Sequence, residues 1–207
     1  MLSTVSSSEL SNVSLDHDVK INDSEYITKE KTFINLKSTV DVNSEYVVCD
    51  ENNNDLFYCT KENIIKDSNG NHLLNFKIKE NFILKNNTTL LICTGGENGK
   101  EEKIEFIGRY FSKTLKYYIE CNNQNGKKEV LDVIYDDSKN LTIYYGKKKE
   151  GGIPICKIQK KNTFKNACKI DIAKGVDKLF LTVIILCIFN LKQSTNELGF
   201  LSALLFV

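Results

Sequence analysis

The sequence predicts a mainly β domain wrapped around one buried helix near its C-terminal end, and three observations carry that prediction. Short β-type segments recur at spacings of roughly 8 to 12 residues between Asn, Gly, Asp and Lys clusters, the pattern of a sandwich or barrel. A run from Leu179 to Leu191 (LFLTVIILCIFNL) is interrupted only by Thr182, Cys187 and Asn190. At ~1.5 Å per residue it forms a helix of roughly 20 Å, short of the ~30 Å hydrocarbon core that about twenty apolar residues span. Phe, Leu, Ile and Val occupy every side of its wheel, so the helix must be surrounded rather than docked on one face. Third, Gly175-Val176-Asp177 ends the preceding strand, and Asp177 is suited to accept the free N–H groups of the first helical turn.

In chain order, residues 1–24 are rich in Ser, Asn and Asp with isolated apolar residues and no period, and are expected to be a disordered or loosely attached tail. Expected strands are 25–29, 33–37, 44–49, 55–60, 62–66, 71–77, 81–85, 88–93, 102–111, 115–121, 129–135, 140–145, 153–160 and 168–173, some of them expected to merge or fail. The strongest local signal is IKDSNGNHLLNFK (65–77), where Asn69-Gly70 can supply the positive φ angles of a tight hairpin turn. DENNND (50–55), NNQNGKK (122–128) and DDSKN (136–140) connect other strands in the same manner. The helix is expected at about 177–191, inside a domain of residues 25–197, and a second apolar stretch, LGFLSALLFV (198–207), follows as an extension.

The 207 residues suit one domain with a sizeable core and leave little room for two. Seven cysteines, an odd number without CxxC spacing, and an N-terminal segment without a leader pattern point to a reducing, cytoplasmic compartment with the thiols as small core residues. Asn-x-Ser/Thr sequons at Asn12, Asn22, Asn86, Asn87 and Asn140 are expected by chance in so Asn-rich a chain. The near-neutral net charge hides a polarity. Residues 1–55 hold four Lys against eleven Asp/Glu, whereas residues 147–178 hold ten Lys against three Asp/Glu. Arg109 is the sole arginine and Pro154 the sole proline, a composition skew that makes lysine weaker evidence of a binding surface than usual.

Four blocks together resemble the LURP-one-related family, which shares the tubby C-terminal fold with the phospholipid scramblases. They are EYVVCDENNNDLFYC (45–59), IIKDSNGNHLLNFK (64–77), GIPICKIQKK (152–161) and CKIDIAKGVDKLFLTVIILCIFNL (168–191). The last is the most specific, because a strand, a Gly-Val-Asp turn and a wholly apolar helix rarely follow in that order. The resemblance implies a tubby-like closed antiparallel barrel of about twelve strands with the C-terminal helix threaded through its centre. The chain departs from the family pattern at Asn71-His72, where the hairpin usually carries Asn-Pro, in the short segment between Cys59 and Ile64, and in the apolar end after Glu197.

No catalytic constellation stands out. TGGENGK (94–100) lacks the first glycine of a phosphate loop, which would fall on Thr94, and Glu101 replaces the hydroxyl residue after the lysine. Asp67, Asn69 and Asn71 have calcium-loop spacing, but His72 stands where that loop needs Gly, and a hairpin turn explains them better. The segment 162–177, close to where scramblases carry a calcium-related sequence, offers only Asp171 and Asp177. His17 and His72 have too few partners for a general base or a zinc site, and Cys49, Cys59, Cys93, Cys121, Cys156, Cys168 and Cys187 read as inert strand or helix residues. The expectation is therefore a non-enzymatic binding or scaffolding module without cofactor or metal.

The remaining candidates are lysines. Lys147, Lys148 and Lys149 cluster in a turn, and Lys157, Lys160, Lys161 and Lys165 crowd the following strand and loop. Most lysines of this kind lie on a solvated surface. The functional alternative is attraction to anionic phospholipid or phosphoinositide headgroups, at ~1 kcal/mol per basic residue near the membrane. The tubby resemblance implies the same partner. The site expected on this reading is Lys147, Lys148, Lys149, Lys157 and Lys161, with Lys157 and Lys161 on the outward side of their strand. Two other readings are a scramblase-like protein with its apolar C-terminal segments in the bilayer and a protein-interaction module with no lipid role. Nucleic acid is not expected as a partner, because arginine and a base-stacking aromatic array are lacking.

Overall fold

The structure is a computed structural model that describes residues 10–20, 25–39, 46–80, 87–94, 101–111, 114–122, 128–135, 140–160 and 167–194. Its strands are β1 (Thr32–Ser38), β2 (Tyr46–Cys49), β3 (Asp55–Cys59), β4 (Ile64–Asp67), β5 (His72–Glu80), β6 (Asn87–Thr94), β7 (Glu101–Phe111), β8 (Thr114–Asn122), β9 (Lys128–Tyr135), β10 (Leu141–Tyr145), β11 (Ile153–Lys160) and β12 (Ala167–Ile172), followed by helix α1 (Lys178–Ser194). Each strand is antiparallel to the next in sequence. Because β1 pairs with β2 on one side and β12 on the other, the ladder returns to its start as a closed barrel.

Each of these strands coincides with a segment expected from the pattern. Of the two other expected segments, 81–85 lies outside the described residues. Residues 25–29 do not form a strand and contribute only an isolated bridge, Ile27 to Asp177. The reason is local: Thr28 commits its groups to the turn before α1. Its hydroxyl donates to the Ala173 carbonyl at 2.6 Å and accepts from the Val176 N–H at 3.1 Å, while its own N–H and carbonyl bond Val176 and Gly175.

Three consecutive turns share one construction. In the Asp67–Asn71 turn, Gly70 N–H donates to the Asp67 carbonyl, Asp67 N–H donates to the Asn71 carbonyl, and Gly70 alone takes a positive φ of +85°. The sequence pattern offered Asn69 and Gly70 together for that role, but a type I turn followed by a left-handed residue needs only the second. Asn53 (φ +64°) and Asn63 (φ +60°) take the same place in the turns after β2 and β3. Asp50 and Asp67 reinforce their turns: each carboxylate accepts two backbone N–H groups at 2.8–2.9 Å and the side-chain amide of Asn54 or Asn71. That amide bond is the first cause of a lowered carboxyl pKa at both residues.

The core is one cluster. Every residue of α1 from Leu179 to Phe189 is buried, and Leu181, Val183, Ile184 and Ile185 have no exposed surface. They pack with strand residues such as Ile34, Phe57, Phe76, Ile92, Leu131 and Ile170. An α-helix buried on all faces needs cover all round, and among the described elements only the ring of strands can give it. The helix therefore runs inside the barrel. Asp177 caps its start, accepting N–H bonds from Leu179 at 2.8 Å and Phe180 at 3.2 Å, after Gly175 has turned the chain at φ +79°. Among the described residues no helix is long and apolar enough to cross a membrane.

The N-terminal segment corrects an expectation. Leu10 and Val19, inside the segment expected to be disordered or loose, are core residues 1% exposed. Val19 N–H donates to Gly175 at 2.8 Å and its carbonyl accepts from Asp177 N–H at 3.0 Å, so residues 10–20 are docked where the chain enters α1. Residues 1–9, 21–24 and the apolar stretch 198–207 lie outside the described residues.

Candidate functional site at the helix-entry end of the barrel

Antiparallel order brings the start of β9, the end of β10, the start of β11, the end of β12 and the first turn of α1 to one end of the barrel. The turn between β10 and β11 carries Lys147, Lys148 and Lys149, and its backbone is tightly fixed. Lys148–Glu150 form a single 3₁₀ turn ended by Gly151 at φ +87°. Gly146 has φ +77°, and a Cβ on Gly152 would sit 2.6 Å from the Gly146 carbonyl oxygen, so no side chain fits there. From β9, buried Asp132 accepts the Lys148 N–H at 3.0 Å and ties the turn to the barrel wall.

The three lysines do not share one disposition. Lys147 is exposed and pairs with Glu150 at 2.9 Å, and Lys149 is exposed. Lys148 is half-buried, its ammonium 5.1 Å from the centre of the Tyr144 ring. The strand lysines differ more. Lys157 does stand on the side opposite Cys156 and Ile158, as alternation requires, yet it is only 6% exposed. In register it sits between Thr142 of β10 and Asp171 of β12, both buried, with Asp171 also 3.1 Å from Lys169. A lysine flanked by a carboxylate can lie down along the sheet with its stem covered. Lys157 is thus part of a wall cluster, which corrects its expected place on an open headgroup surface. Lys161 and Lys165 lie outside the described residues, and so does most of the 94–100 loop. Asp171 and Asp177, the acidic residues near the helix, are occupied by Lys169 and by the helix cap.

Beside the lysine turn the structure assembles a second group that the sequence did not reveal. Glu129, at the start of β9, points inward with its side chain 3% exposed. His17 reaches it from the docked N-terminal segment, Nε2 to Oε1 at 2.6 Å, while Nδ1 lies 2.7 Å from Asp16. The Tyr145 hydroxyl is 3.1 Å from His17 Nε2 and 3.4 Å from Glu129, with its ring edge-on to the imidazole. Cys121 pairs with Glu129 across β8 and β9. Burial, with the Glu129 charge adding to it, pushes both the Cys121 thiol and the Tyr145 phenol up to about 12. His17 and Glu129 are 112 residues apart, so no spacing motif could have joined them. The only signal was a histidine in a segment whose apolar residues are isolated.

The cysteines are free thiols, five buried and two half-buried. Burial raises Cys156 and Cys187 well above the usual thiol range, which keeps them as uncharged packing atoms.

Comparison with curated proteins and with solved structures finds no match. Comparison with protein families finds LURP-one-related, over residues 28–189, a span that begins at Thr28 before β1 and ends within α1. It contains the whole ring of strands and the buried part of the helix. The chain belongs to the LURP-one-related family.

Proposed function

We propose that this LURP-one-related domain is a non-enzymatic intracellular binding module, recruited to anionic membrane surfaces through the turn between β10 and β11. A twelve-strand ring around a buried helix is what the tubby-like resemblance implies, and it bears on function by elimination. The interior is occupied by α1, so recognition falls to the outer surface and the loop ends. The observation that carries the reading is the fixed turn itself, which presents Lys147 and Lys149 to solvent on a backbone with two left-handed glycines and a third that admits no Cβ. A turn held this way presents its ammonium groups without first having to order its backbone.

Burial of α1 weighs against the scramblase-like alternative, because placing Leu179–Phe189 in a bilayer would remove the barrel's core. The test is sedimentation with phosphoinositide-containing vesicles at low and physiological salt, using the chain and its Lys147→Glu, Lys149→Glu variant. Loss of two lysines at ~1 kcal/mol each accounts for roughly thirtyfold weaker partitioning at low salt, and repulsion of the two new carboxylates adds to it, with a smaller difference at physiological salt. Equal partitioning of the two proteins, or no partitioning of the parent chain in either condition, would leave the protein-interaction reading in its place.

A further inference from the structure

We propose that residues 10–20 form a pH-operated strap: the His17 imidazolium clasps them to the buried Glu129 carboxylate at the helix-entry end of the barrel, and loss of its proton loosens them. The geometry asks for the charged ring. Both nitrogens face carboxylates, Nε2 that of Glu129 at 2.6 Å and Nδ1 that of Asp16 at 2.7 Å. An ionised carboxylate only accepts hydrogen bonds, and a neutral imidazole has one N–H to give, so only the doubly protonated ring satisfies both.

Among the described residues, the groups that raise the ring's affinity for a proton are the carboxylates of Glu129 and Asp16. Facing the ring are Asp16 from the strap, Glu129 from β9 and the Tyr145 phenol from β10; the Cys121 thiol of β8 stands beside Glu129, and Asp18 turns toward Gly175. His17 is one-third exposed and therefore exchanges protons with solvent, while Glu129 is not. The strap's other attachments include the apolar packing of Leu10, Val13, Leu15 and Val19 on the core and the paired backbone bonds of Val19 with Gly175 and Asp177. Unclasping therefore raises the frequency of local opening, with the barrel intact.

The direction in pH follows from the hydrogen bond to Glu129, which outweighs desolvation and, with Asp16, raises the His17 pKa above its ordinary value. A group raised in the folded state contributes fully below its unfolded value of about 6.5, and that contribution fades as pH climbs through the raised one.

The experiment is amide exchange at Val19 and Asp177, expressed as protection factors, between about pH 5 and about pH 8, in the parent chain and in His17→Ala. A charged hydrogen bond of this kind predicts roughly a tenfold or larger fall in protection at both amides across that range in the parent chain. His17→Ala should show the low protection throughout, with the amides of β12 unchanged in both proteins. In the parent chain, the His17 ring resonances should titrate above about 6.5, a readout independent of any variant. Protection at Val19 and Asp177 that is level with pH in the parent chain, or His17→Ala protection equal to the parent's at low pH, would overturn the proposal.

Discussion

If α1 is enclosed, alanine must be costly on every face of it. Leu181, Val183, Ile184 and Leu186 are all at most 1% exposed. At about 100° per residue the latter three lie roughly 200°, 300° and 140° around the axis from Leu181, so the four sample the whole circumference. Truncating a buried Leu or Ile to Ala removes transfer free energy and leaves a cavity, together ~2–5 kcal/mol. Val183→Ala loses two methyl groups at ~0.8 kcal/mol each, before any cavity. Against a total stability of ~5–15 kcal/mol the single variants should still fold. Urea unfolding followed by circular dichroism is the assay. With a slope of ~2 kcal/mol/M, the Leu and Ile variants should lower the midpoint by about 1–2.5 M at unchanged slope. A helix lying on one side of a sheet would show one tolerant face, where Ala changes stability by no more than ~0.5 kcal/mol. A tolerant position at any of the four would refute enclosure.

Other outcomes follow from named contacts. Asp177→Ala removes the acceptor for two buried N–H groups and should cost toward the upper end of ~0.5–2 kcal/mol, read as a lowered Tm, with Asp177→Asn recovering most of it. Gly152→Ala places a Cβ 2.6 Å from the Gly146 oxygen and should destabilise by ~1–3 kcal/mol in chemical denaturation, with the largest NMR shift changes at 146–152. Asp50 and Asp67 have lowered pKa values, so their turns gain support above the unfolded carboxyl value of about 3.9 and lose it as pH falls through the folded one. Amide protection at Asn54 and Asn71 should fall together in that acid range. A thiol reagent should label the native chain slowly, and all seven cysteines only after unfolding.

What could be read in the chain was whatever repeats or runs. Alternation between Asn and Gly clusters located the strands, and an apolar stretch with no polar face located the enclosed helix and its Asp177 cap. Alternation also set Lys157 on the outer side of β11. It could not show that Asp171 and Thr142 flank it there, because cross-strand neighbours come from a ladder whose register is set elsewhere. The docking of residues 10–20 left no period to find. It rests on the buried Leu10 and Val19, the half-buried Val13 and Leu15, and backbone bonds to the turn before α1, and backbone groups carry no sequence signature. His17 with Glu129 is the extreme case, a contact made only because the barrel brings the start of β9 beside the strap. In the Asn-rich turns composition announced a turn, but the residue taking positive φ, Asn53 or Asn63, depends on the bonds closing the hairpin.

The central claim is that this fold keeps its helix inside and meets anionic membranes with its fixed lysine turn. Hydrogen exchange with and without phosphoinositide-containing vesicles tests both halves at once. The account predicts added protection at residues 146–152 and, for the amides of Leu181–Phe189, slow exchange that vesicles do not alter. Altered exchange within Leu181–Phe189, or protection that appears elsewhere and leaves 146–152 unchanged, would contradict it.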